Sequence, residues 1–201
     1  MEKINITGIV LCGGRSIRMG ENKALLKLNN KFIISYVIDS LKEFCDEIIL
    51  STNSNELDFL NLKTIADEYK NIGPIAGILS GLESSKTDLN IIASCDTPFF
   101  SSDLINFLLK FSNQNEIVIP EFEDFLQPIT GIFKKSVIKT IKQEIELGNH
   151  SPQKIIKKAN LKIVKIDNSL NFFNNKLFMN INTKEDYENA KQIIDKRMVK
   201  Q

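Results

Sequence analysis

Short apolar runs alternate with amphipathic segments along most of this chain, and that alternation is what most limits its fold. The runs ITGIVLC, DEIILSTN and DLNIIASCD predict buried strands, whereas FIISYVIDSLKEF carries its apolar residues at helical spacing. Strands that alternate with helices in this way form parallel sheets covered by helices. The sequence therefore predicts an α/β fold with a mostly parallel central sheet.

Helix-start signals and the lack of any linker complete the expected organisation. Pro74 is expected in the first turn of one helix, Ser101 or Ser102 at the start of the next, and Thr183 at the start of the last. No repeat, low-complexity tract or Pro/Gly-rich linker divides the 201 residues. We therefore expect a single domain over residues 1–201.

Charge and cysteine content exclude several classes of protein. Lys and Arg number 26 against 25 Asp and Glu, so the chain lacks the basic excess of a nucleic-acid-binding protein. No apolar segment is long enough for a membrane span. Three separated cysteines and one histidine do not suit a disulfide framework or a zinc site. We expect a cytoplasmic protein that is a monomer or a weak oligomer.

A glycine-rich, cationic loop follows the first predicted strand. Gly13 and Gly14 lack Cβ atoms, so the backbone can turn tightly and bring its N–H groups close to an anion. Arg15, Arg18 and Lys23 add positive charge within a few residues. The spacing fits neither a Walker loop nor the G-x-G-x-x-G fingerprint. A glycine turn with solvated charges is the alternative, but the combination favours an anion site at the carboxyl end of a strand.

The whole loop reads L-x-G-G-x-S-x-R-M-G-x-x-K from Leu11 to Lys23. It resembles the signature loop of nucleotidyltransferases, and most closely that of the molybdenum cofactor guanylyltransferases, which transfer GMP from GTP to molybdopterin. The resemblance implies a Rossmann-like three-layer αβα fold, with a nucleotide-binding half over 1–120 and a pterin-binding half over 121–201. It also implies contacts to GTP from Leu11, Cys12, Gly13, Gly14, Arg15, Ser16 and Lys23. Arg15 holds a variable position of the motif, so exposure to solvent is an alternative for it.

An aspartate stands directly after the strand DLNIIASCD. Asp96 is a hard oxygen ligand at the edge of the sheet where ligands bind, which suits Mg²⁺ held together with phosphates. The segment resembles the family's C-D-x-P-F, which implies that Asp96 contacts both Mg²⁺ and the nucleotide. Capping of the next helix is the alternative role for this carboxylate. The resemblance thus implies Mg²⁺ as the cofactor and a catalytic set of Arg18, Lys23 and Asp96.

Polar residues also follow the second and third strands. The segment IADEYKNIGPIAGI resembles the family's aspartate followed by G-P-L-x-G, and the family uses an asparagine at the end of the second strand. The resemblance implies contacts to GTP from Asp67, Gly73, Pro74 and Gly77, and from either Ser51 or Asn53. A loop carboxylate in water is the alternative for Asp67, and close packing is one for Gly77.

Two further segments resemble the family beyond residue 120. In FMNINTKEDYENA, Asn180 and Asn182 alternate onto one face of an expected short strand, and Thr183 with Asp186 forms a capping-box-like start. In LQPITGIF, Gln127 and Pro128 resemble a segment near the pterin, with an ordinary turn as the alternative. The resemblance implies that Gln127, Pro128, Asn180 and Asn182 bind the acceptor.

Together these motifs lead to a specific expectation of function. The resemblance implies transfer of GMP from GTP to the phosphate of molybdenum-molybdopterin, and Gly13 places the chain with the guanine-specific rather than the cytosine-specific loops. Molybdoenzymes or their chaperones are the implied protein partners. Two alternatives stay open: a related nucleotidyltransferase that uses CTP or a sugar or polyol phosphate acceptor, and a non-catalytic GTP-binding adaptor for molybdoenzymes.

Overall fold

The computed structural model describes residues 4–13, 23–69 and 71–198. Within these residues, the main sheet has eight strands. Seven of them lie side by side in one order, and the short eighth strand pairs with one of the seven. The sheet contains β1 (Ile6–Leu11), β4 (Glu47–Ser51), β5 (Lys63–Ile65), β6 (Leu89–Ser94), β7 (Ile117–Phe122), β8 (Phe125–Leu126), β9 (Gly131–Lys134) and β10 (Leu161–Ile166). A separate small hairpin contains β2 (Lys27–Leu28) and β3 (Lys31–Phe32).

Among the described residues, six α-helices connect and cover these strands. They are α1 (Ile33–Lys42), α2 (Pro74–Ser84), α3 (Ser102–Leu109), α4 (Ile138–Glu146), α5 (Pro152–Ile156) and α6 (Lys184–Met198). In the described part of the chain, no helix is both long and apolar enough to cross a membrane.

The order of the main sheet is β10-β7-β9-β6-β1-β4-β5, with β8 paired to β7. The pairs β6–β1, β1–β4, β4–β5 and β7–β10 are parallel, whereas β9 runs antiparallel to both β6 and β7. The prediction of a mostly parallel sheet is therefore confirmed. Strands from both predicted halves share this sheet, and the division into a nucleotide half and a pterin half stays a prediction.

Residues of β1 show why helices cover both faces of the sheet. All six residues of this strand are buried. Val10 belongs to the apolar cluster that includes residues of α1 and α3, whereas Ile9 and Leu11 belong to the cluster that includes residues of α2, α4 and α5. Because side chains alternate along a strand, one buried strand supplies both apolar layers. The expected three-layer αβα arrangement is confirmed.

The predicted helix starts are also found. Gly73 has a φ of +75° directly before Pro74, the first residue of α2. Ser101, rather than Ser102, caps α3, because its hydroxyl oxygen accepts a hydrogen bond from the Leu104 N–H at 3.3 Å. Thr183 Oγ1 accepts one from the Asp186 N–H at 3.1 Å at the start of α6.

Two local features differ from the sequence prediction. The prediction of a short strand around Asn180 and Asn182 is wrong. The chain forms turns up to Phe178, and residues 179–182 are not part of a strand, although the Ile181 N–H donates to the Asp96 carbonyl just beyond β6 at 3.0 Å. The hairpin of β2 and β3 was not predicted. Its two-residue turn is Asn29-Asn30, both with positive φ, which is a known hairpin signal.

Candidate active site

The carboxyl ends of three neighbouring strands define the candidate site. In the strand register, Leu11 of β1 lies opposite both Ser51 of β4 and Ser94 of β6. The Cys12 N–H donates to the Ser51 carbonyl at 2.8 Å, and the Cys95 N–H donates to the Leu11 carbonyl at 3.1 Å. The polar segments that follow these strands therefore leave the sheet at one edge, where open α/β sheets bind ligands.

Lys23 brings together segments that are far apart in sequence. Its ammonium group donates a hydrogen bond to Asn182 Oδ1 at 2.6 Å and lies 4.0 Å from Asp96 Oδ2. The side chains of Lys23 and Asp96 are only 17% and 18% exposed, so solvent screens their charges less than it screens surface charges. A cation and an anion thus face each other beside the end of β6.

Asp96 lies within the candidate site, and another residue caps the helix that follows it. Its Oδ1 accepts a hydrogen bond from the Ser94 hydroxyl at 2.6 Å. Ser101 performs the capping of α3 instead. The alternative considered for this carboxylate is therefore not what the structure shows, and Oδ2 is the oxygen nearest the Lys23 ammonium.

The donor atoms at this edge fit a metal ion that is shared with phosphates. Across residues 4–13, 23–69 and 71–198, no group of three or more His, Cys, Asp or Glu side chains could hold a metal by itself. Mg²⁺ that is bound with a nucleotide needs only one or two carboxylates, because phosphates and water complete its shell. Asp96 supplies such a carboxylate, with the amide oxygen of Asn182 nearby through Lys23.

A second polar group lies at the ends of β4 and β5. The Ser51 hydroxyl donates to Asp67 Oδ1 at 2.6 Å, and the Asp67 N–H donates to Asn53 Oδ1 at 3.0 Å. Ser51 is 1% exposed, whereas Asn53 is exposed. Asp67 Oδ2 would lie 3.6 Å from a Cβ placed on Gly13. Both residues named for the second strand therefore hold Asp67, and Asp67 Oδ2 lies on the side of Gly13.

Packing explains the glycine inside α2. A Cβ on Gly77 would lie 2.6 Å from Ser51 Oγ and 3.1 Å from Leu11 Cδ2. Real side chains do not approach so closely, so the absence of a side chain lets α2 lie against the ends of β1 and β4. Gly73 differs, because its Cβ would meet nothing within 4 Å and its positive φ alone explains the glycine.

Cys12 is not set up as a nucleophile. A hydrogen bond with Cys95 and burial raise the pKa of Cys12 well above its usual range, and the negative charge of Asp96 acts in the same direction. The thiol therefore stays protonated at neutral pH, and the thiolate is the reactive form.

Comparison with known proteins agrees with this geometry. Residues 8–163 match the family described as MobA-like NTP transferase domain. The chain belongs to this family. It is 34% identical over 189 residues to a probable molybdenum cofactor guanylyltransferase of Clostridium perfringens, and the match covers 92% of this chain and 96% of that relative. The resemblance stated from the opening motif is confirmed.

Solved structures show how widely the fold of this MobA-like chain is shared. Molybdopterin-guanine dinucleotide biosynthesis protein A from Archaeoglobus fulgidus has a TM-score of 0.79 at 22% identity, covering 94% of this chain and 99% of that one. The 4-diphosphocytidyl-2C-methyl-D-erythritol synthase from Anaerococcus prevotii has a TM-score of 0.71 at 14% identity, covering 96% and 100%. The nucleotidyltransferase fold is confirmed. The fold alone does not determine which nucleotide base is bound, so selectivity for the base must come from side chains of the site.

The structure describes only some of the remaining residues that were predicted for this MobA-like site. Gly14, Arg15, Ser16 and Arg18 lie outside the described residues. Gln127 and Pro128 lie in the turn before β9, where the Gln127 N–H donates to the Pro120 carbonyl at 2.9 Å and Gln127 Nε2 donates to the Phe125 carbonyl at 3.3 Å.

The position of that turn relative to the site follows from the register. Gly131 begins β9 opposite Ile92 of β6, so the turn lies near the same edge as Asp96. Asn180 is exposed one residue before Ile181, whose N–H bonds the Asp96 carbonyl. Contacts of these residues with an acceptor stay a prediction.

Two residues that support this MobA-like site were not singled out from the sequence for that role. Ser94 holds Asp96, and its position two residues before the aspartate in an alternating strand was the available signal. Asp186 Oδ2 accepts from the Asn182 N–H at 3.0 Å and from the Thr183 N–H at 2.8 Å. Burial opposes ionisation of Asp186, but hydrogen bonds from Thr183 and Asn182 lower the pKa of its carboxyl, and Lys23 adds to this.

Proposed function

We propose that this chain transfers GMP from GTP to the phosphate of molybdenum-molybdopterin, with release of pyrophosphate. The observation that carries the proposal is the Lys23 ammonium group 4.0 Å from the Asp96 carboxylate at the ligand edge of the sheet. The chain is also 34% identical to a relative whose name states guanylyl transfer to the molybdenum cofactor. A cation for phosphates and a carboxylate for a metal are the two charges that nucleotidyl transfer needs.

The reaction follows from charge and position. An oxygen of the acceptor phosphate attacks the α-phosphorus of GTP in line, the bond to the β-phosphate breaks, and pyrophosphate leaves. The attacking group is already an anion, so the site needs no strong general base. Lys23 stabilises the charge that develops on the departing phosphates, and the resemblance gives Arg18 the same role. Catalysis is therefore mostly positioning and charge neutralisation.

Asp96 is the residue that would hold Mg²⁺. The ion, when bound, neutralises phosphate oxygens and orients them for displacement. The Ser94 hydroxyl fixes Asp96 Oδ1, which orients the carboxylate before the nucleotide arrives. The magnesium requirement is part of the proposal.

Asp67 and Gly13 are the residues to which we assign the guanine nucleoside. Ser51 occupies Asp67 Oδ1, so Oδ2 is the oxygen turned towards the space beside Gly13. A carboxylate oxygen accepts hydrogen bonds from a base or ribose that offers donors. A methyl group at position 13 would contact Asp67 Oδ2 and compete with such a donor.

The acceptor side is assigned to the turn at Gln127 and Pro128 and to Asn180 and Asn182. All four lie near the same edge of the sheet as Asp96. We place the reaction in the cytoplasm and name molybdoenzymes or their chaperones as recipients of the product. These assignments rest on the family and on the location of the residues.

A transfer assay tests the proposed function. The purified protein is incubated with Mg²⁺ and molybdenum-molybdopterin, with GTP and CTP offered separately, and pyrophosphate and the nucleotide on the pterin are measured. We expect pyrophosphate and a GMP–pterin product with GTP alone. CMP on the pterin would overturn the base assignment, and GTP binding without pyrophosphate would favour an adaptor.

A further inference from the structure

The Lys23 ammonium group lies between two oxygens of different charge. It contacts the neutral Asn182 Oδ1 at 2.6 Å, while the charged Asp96 Oδ2 is 4.0 Å away. A charge-assisted N–H···O bond to a carboxylate is normally 2.7–2.9 Å long and about twice as strong as a neutral one. Lys23 therefore hydrogen-bonds the amide oxygen of Asn182, the weaker acceptor, and not the carboxylate of Asp96, the stronger one.

Backbone hydrogen bonds fix the position of Asn182, so its side chain can hold Lys23 in place. Its N–H donates to Asp186 Oδ2 at 3.0 Å, in the first turn of α6, and the preceding Ile181 N–H donates to the Asp96 carbonyl at 3.0 Å. These backbone bonds set the position of Asn182 relative to both the helix and Asp96. Because an ammonium group offers only donors, the atom of Asn182 that meets it is the amide oxygen.

We propose that Asn182 is a positioning residue that holds Lys23 away from Asp96. A direct ion pair between Lys23 and Asp96 would cancel the two charges that the site needs. With Lys23 on a neutral oxygen, the ammonium charge stays available to phosphates and the carboxylate stays available to a metal. The identity of the triphosphate rests on the proposed function, whereas the holding role rests on these contacts.

The effect should appear in nucleotide binding without metal or acceptor. Without Asn182 Oδ1, Lys23 is expected to move onto Asp96, and GTP must then break an ion pair to reach the ammonium group. A partly exposed pair contributes about 1 kcal/mol, which corresponds to about a fivefold loss of affinity. The loss should require the carboxylate of Asp96, and that dependence separates positioning from a direct contact with GTP.

A double-mutant cycle tests this inference. The dissociation constant for GTP is measured by calorimetry in EDTA for the unsubstituted protein, Asn182→Ala, Asp96→Asn and the double variant. We expect Asn182→Ala to weaken binding about fivefold in the natural background and less than about twofold when Asp96 is Asn. Asn182→Asp keeps an oxygen but adds charge, so it should weaken binding at least as much as Asn182→Ala.

Matched controls keep the result decisive. Asn189→Ala removes an exposed amide of α6 that has no assigned role in the site and should leave the GTP affinity unchanged. The cap of α6 uses the backbone of Asn182, so thermal unfolding of Asn182→Ala should match that of the unsubstituted protein. The proposal would be overturned if Asn182→Ala lost the same GTP affinity with Asp as with Asn at position 96. An Asn182→Asp variant that binds GTP as tightly as the unsubstituted protein would also overturn it.

The two proposals fail in different ways. A protein that binds GTP in EDTA with the expected coupling, but makes no pyrophosphate with molybdopterin and Mg²⁺, contradicts the proposed function alone. Normal transfer without coupling between positions 182 and 96 contradicts the positioning role alone. Absence of GTP binding in the unsubstituted protein contradicts both.

Discussion

Ser51 donates its hydroxyl hydrogen to Asp67 Oδ1 across the ends of two neighbouring strands, with an O···O distance of 2.6 Å. The same hydroxyl oxygen lies where a side chain on Gly77 would have to go, only 2.6 Å from an ideal Cβ. One buried serine therefore links the end of β4, the loop after β5 and the packing of α2. This arrangement turns the other oxygen of Asp67 towards Gly13.

Replacing Ser51 by alanine should weaken both the fold and the nucleotide site. The substitution leaves Asp67 Oδ1 without its hydrogen-bond donor, and a lost partner of a charged group costs about 1–3 kcal/mol. We expect a matching fall in the free energy of unfolding in urea and a weaker affinity for GTP. Ser51→Thr, which keeps the hydroxyl, is the control for loss of the donor. An unchanged stability and GTP affinity in Ser51→Ala would contradict the role given to this bond.

Alanine at position 77 should destabilise the protein through overpacking. Its methyl group would meet Ser51 Oγ at 2.6 Å and Leu11 Cδ2 at 3.1 Å, and such crowding typically costs about 1–3 kcal/mol. Denaturant unfolding measures the loss. When position 51 is Ala the nearest clash is absent, so Gly77→Ala should cost less free energy of unfolding in that background than in the natural protein. Gly77→Ala with natural stability would show that α2 can shift freely, against the packing described.

Loss of the Lys23 ammonium group should impair catalysis without impairing the fold. Removing one preorganised group that stabilises developing charge lowers turnover by roughly 10²–10³-fold in other enzymes. We expect Lys23→Ala to show a loss of that order in the transfer assay, with an unchanged thermal unfolding midpoint. Lys86→Ala, at an exposed lysine near the opposite edge of the sheet, is the matched control. A natural rate in Lys23→Ala would remove this residue from the mechanism.

The carboxylate of Asp96 should be essential for metal-supported transfer. Asp96→Asn keeps the size and the acceptor for Ser94 but removes the charge that attracts a divalent ion. We expect this variant to fold normally and to lose transfer, and we expect EDTA to abolish transfer in the unsubstituted protein. Isothermal titration with Mg²⁺ and GTP together checks whether metal-dependent binding is lost. Full turnover by Asp96→Asn would exclude the metal role.

Asp186 should make the stability of the protein depend on pH. Hydrogen bonds from Thr183 and Asn182 lower the pKa of this carboxyl, although burial opposes them. A group with a lowered pKa stabilises the fold above its unfolded pKa, about 3.9 for aspartate, and the contribution is lost as the pH falls through the folded pKa. The stability difference between the natural protein and Asp186→Asn in urea should therefore be largest near pH 7 and shrink below about pH 4. A difference that does not change with pH would contradict this origin.

Local signals in the sequence were enough for much of the fold, whereas long-range relations were not. The buried run of β1, the Gly73-Pro74 start of α2 and the Thr183 cap of α6 depend on neighbouring residues, and all were predicted. The reversed direction of β9 was not predicted, because ITGIF has the same apolar pattern in either direction. Strand direction is set by the path of the chain and not by side-chain alternation.

The same distinction applies to the candidate site. The sequence named Lys23, Asp96 and Asn182 separately, each from its own motif. It gave no sign that Lys23 contacts Asn182, because 159 positions separate these residues and only the folded sheet brings them together. The prediction of a strand at Asn182 was wrong for a related reason, since the turns before it bring Ile181 to the Asp96 carbonyl beyond the end of β6 and not to a strand.

Tracing the phosphates of GTP tests guanylyl transfer most directly. The protein is given Mg²⁺, molybdenum-molybdopterin and GTP that carries a radioactive label at either the α- or the γ-phosphate, and the products are separated. Attack at the α-phosphorus predicts that the α-label moves to the pterin and that the γ-label leaves in pyrophosphate. Label from the γ-phosphate on the pterin, or release of both labels without a labelled pterin, would contradict the account.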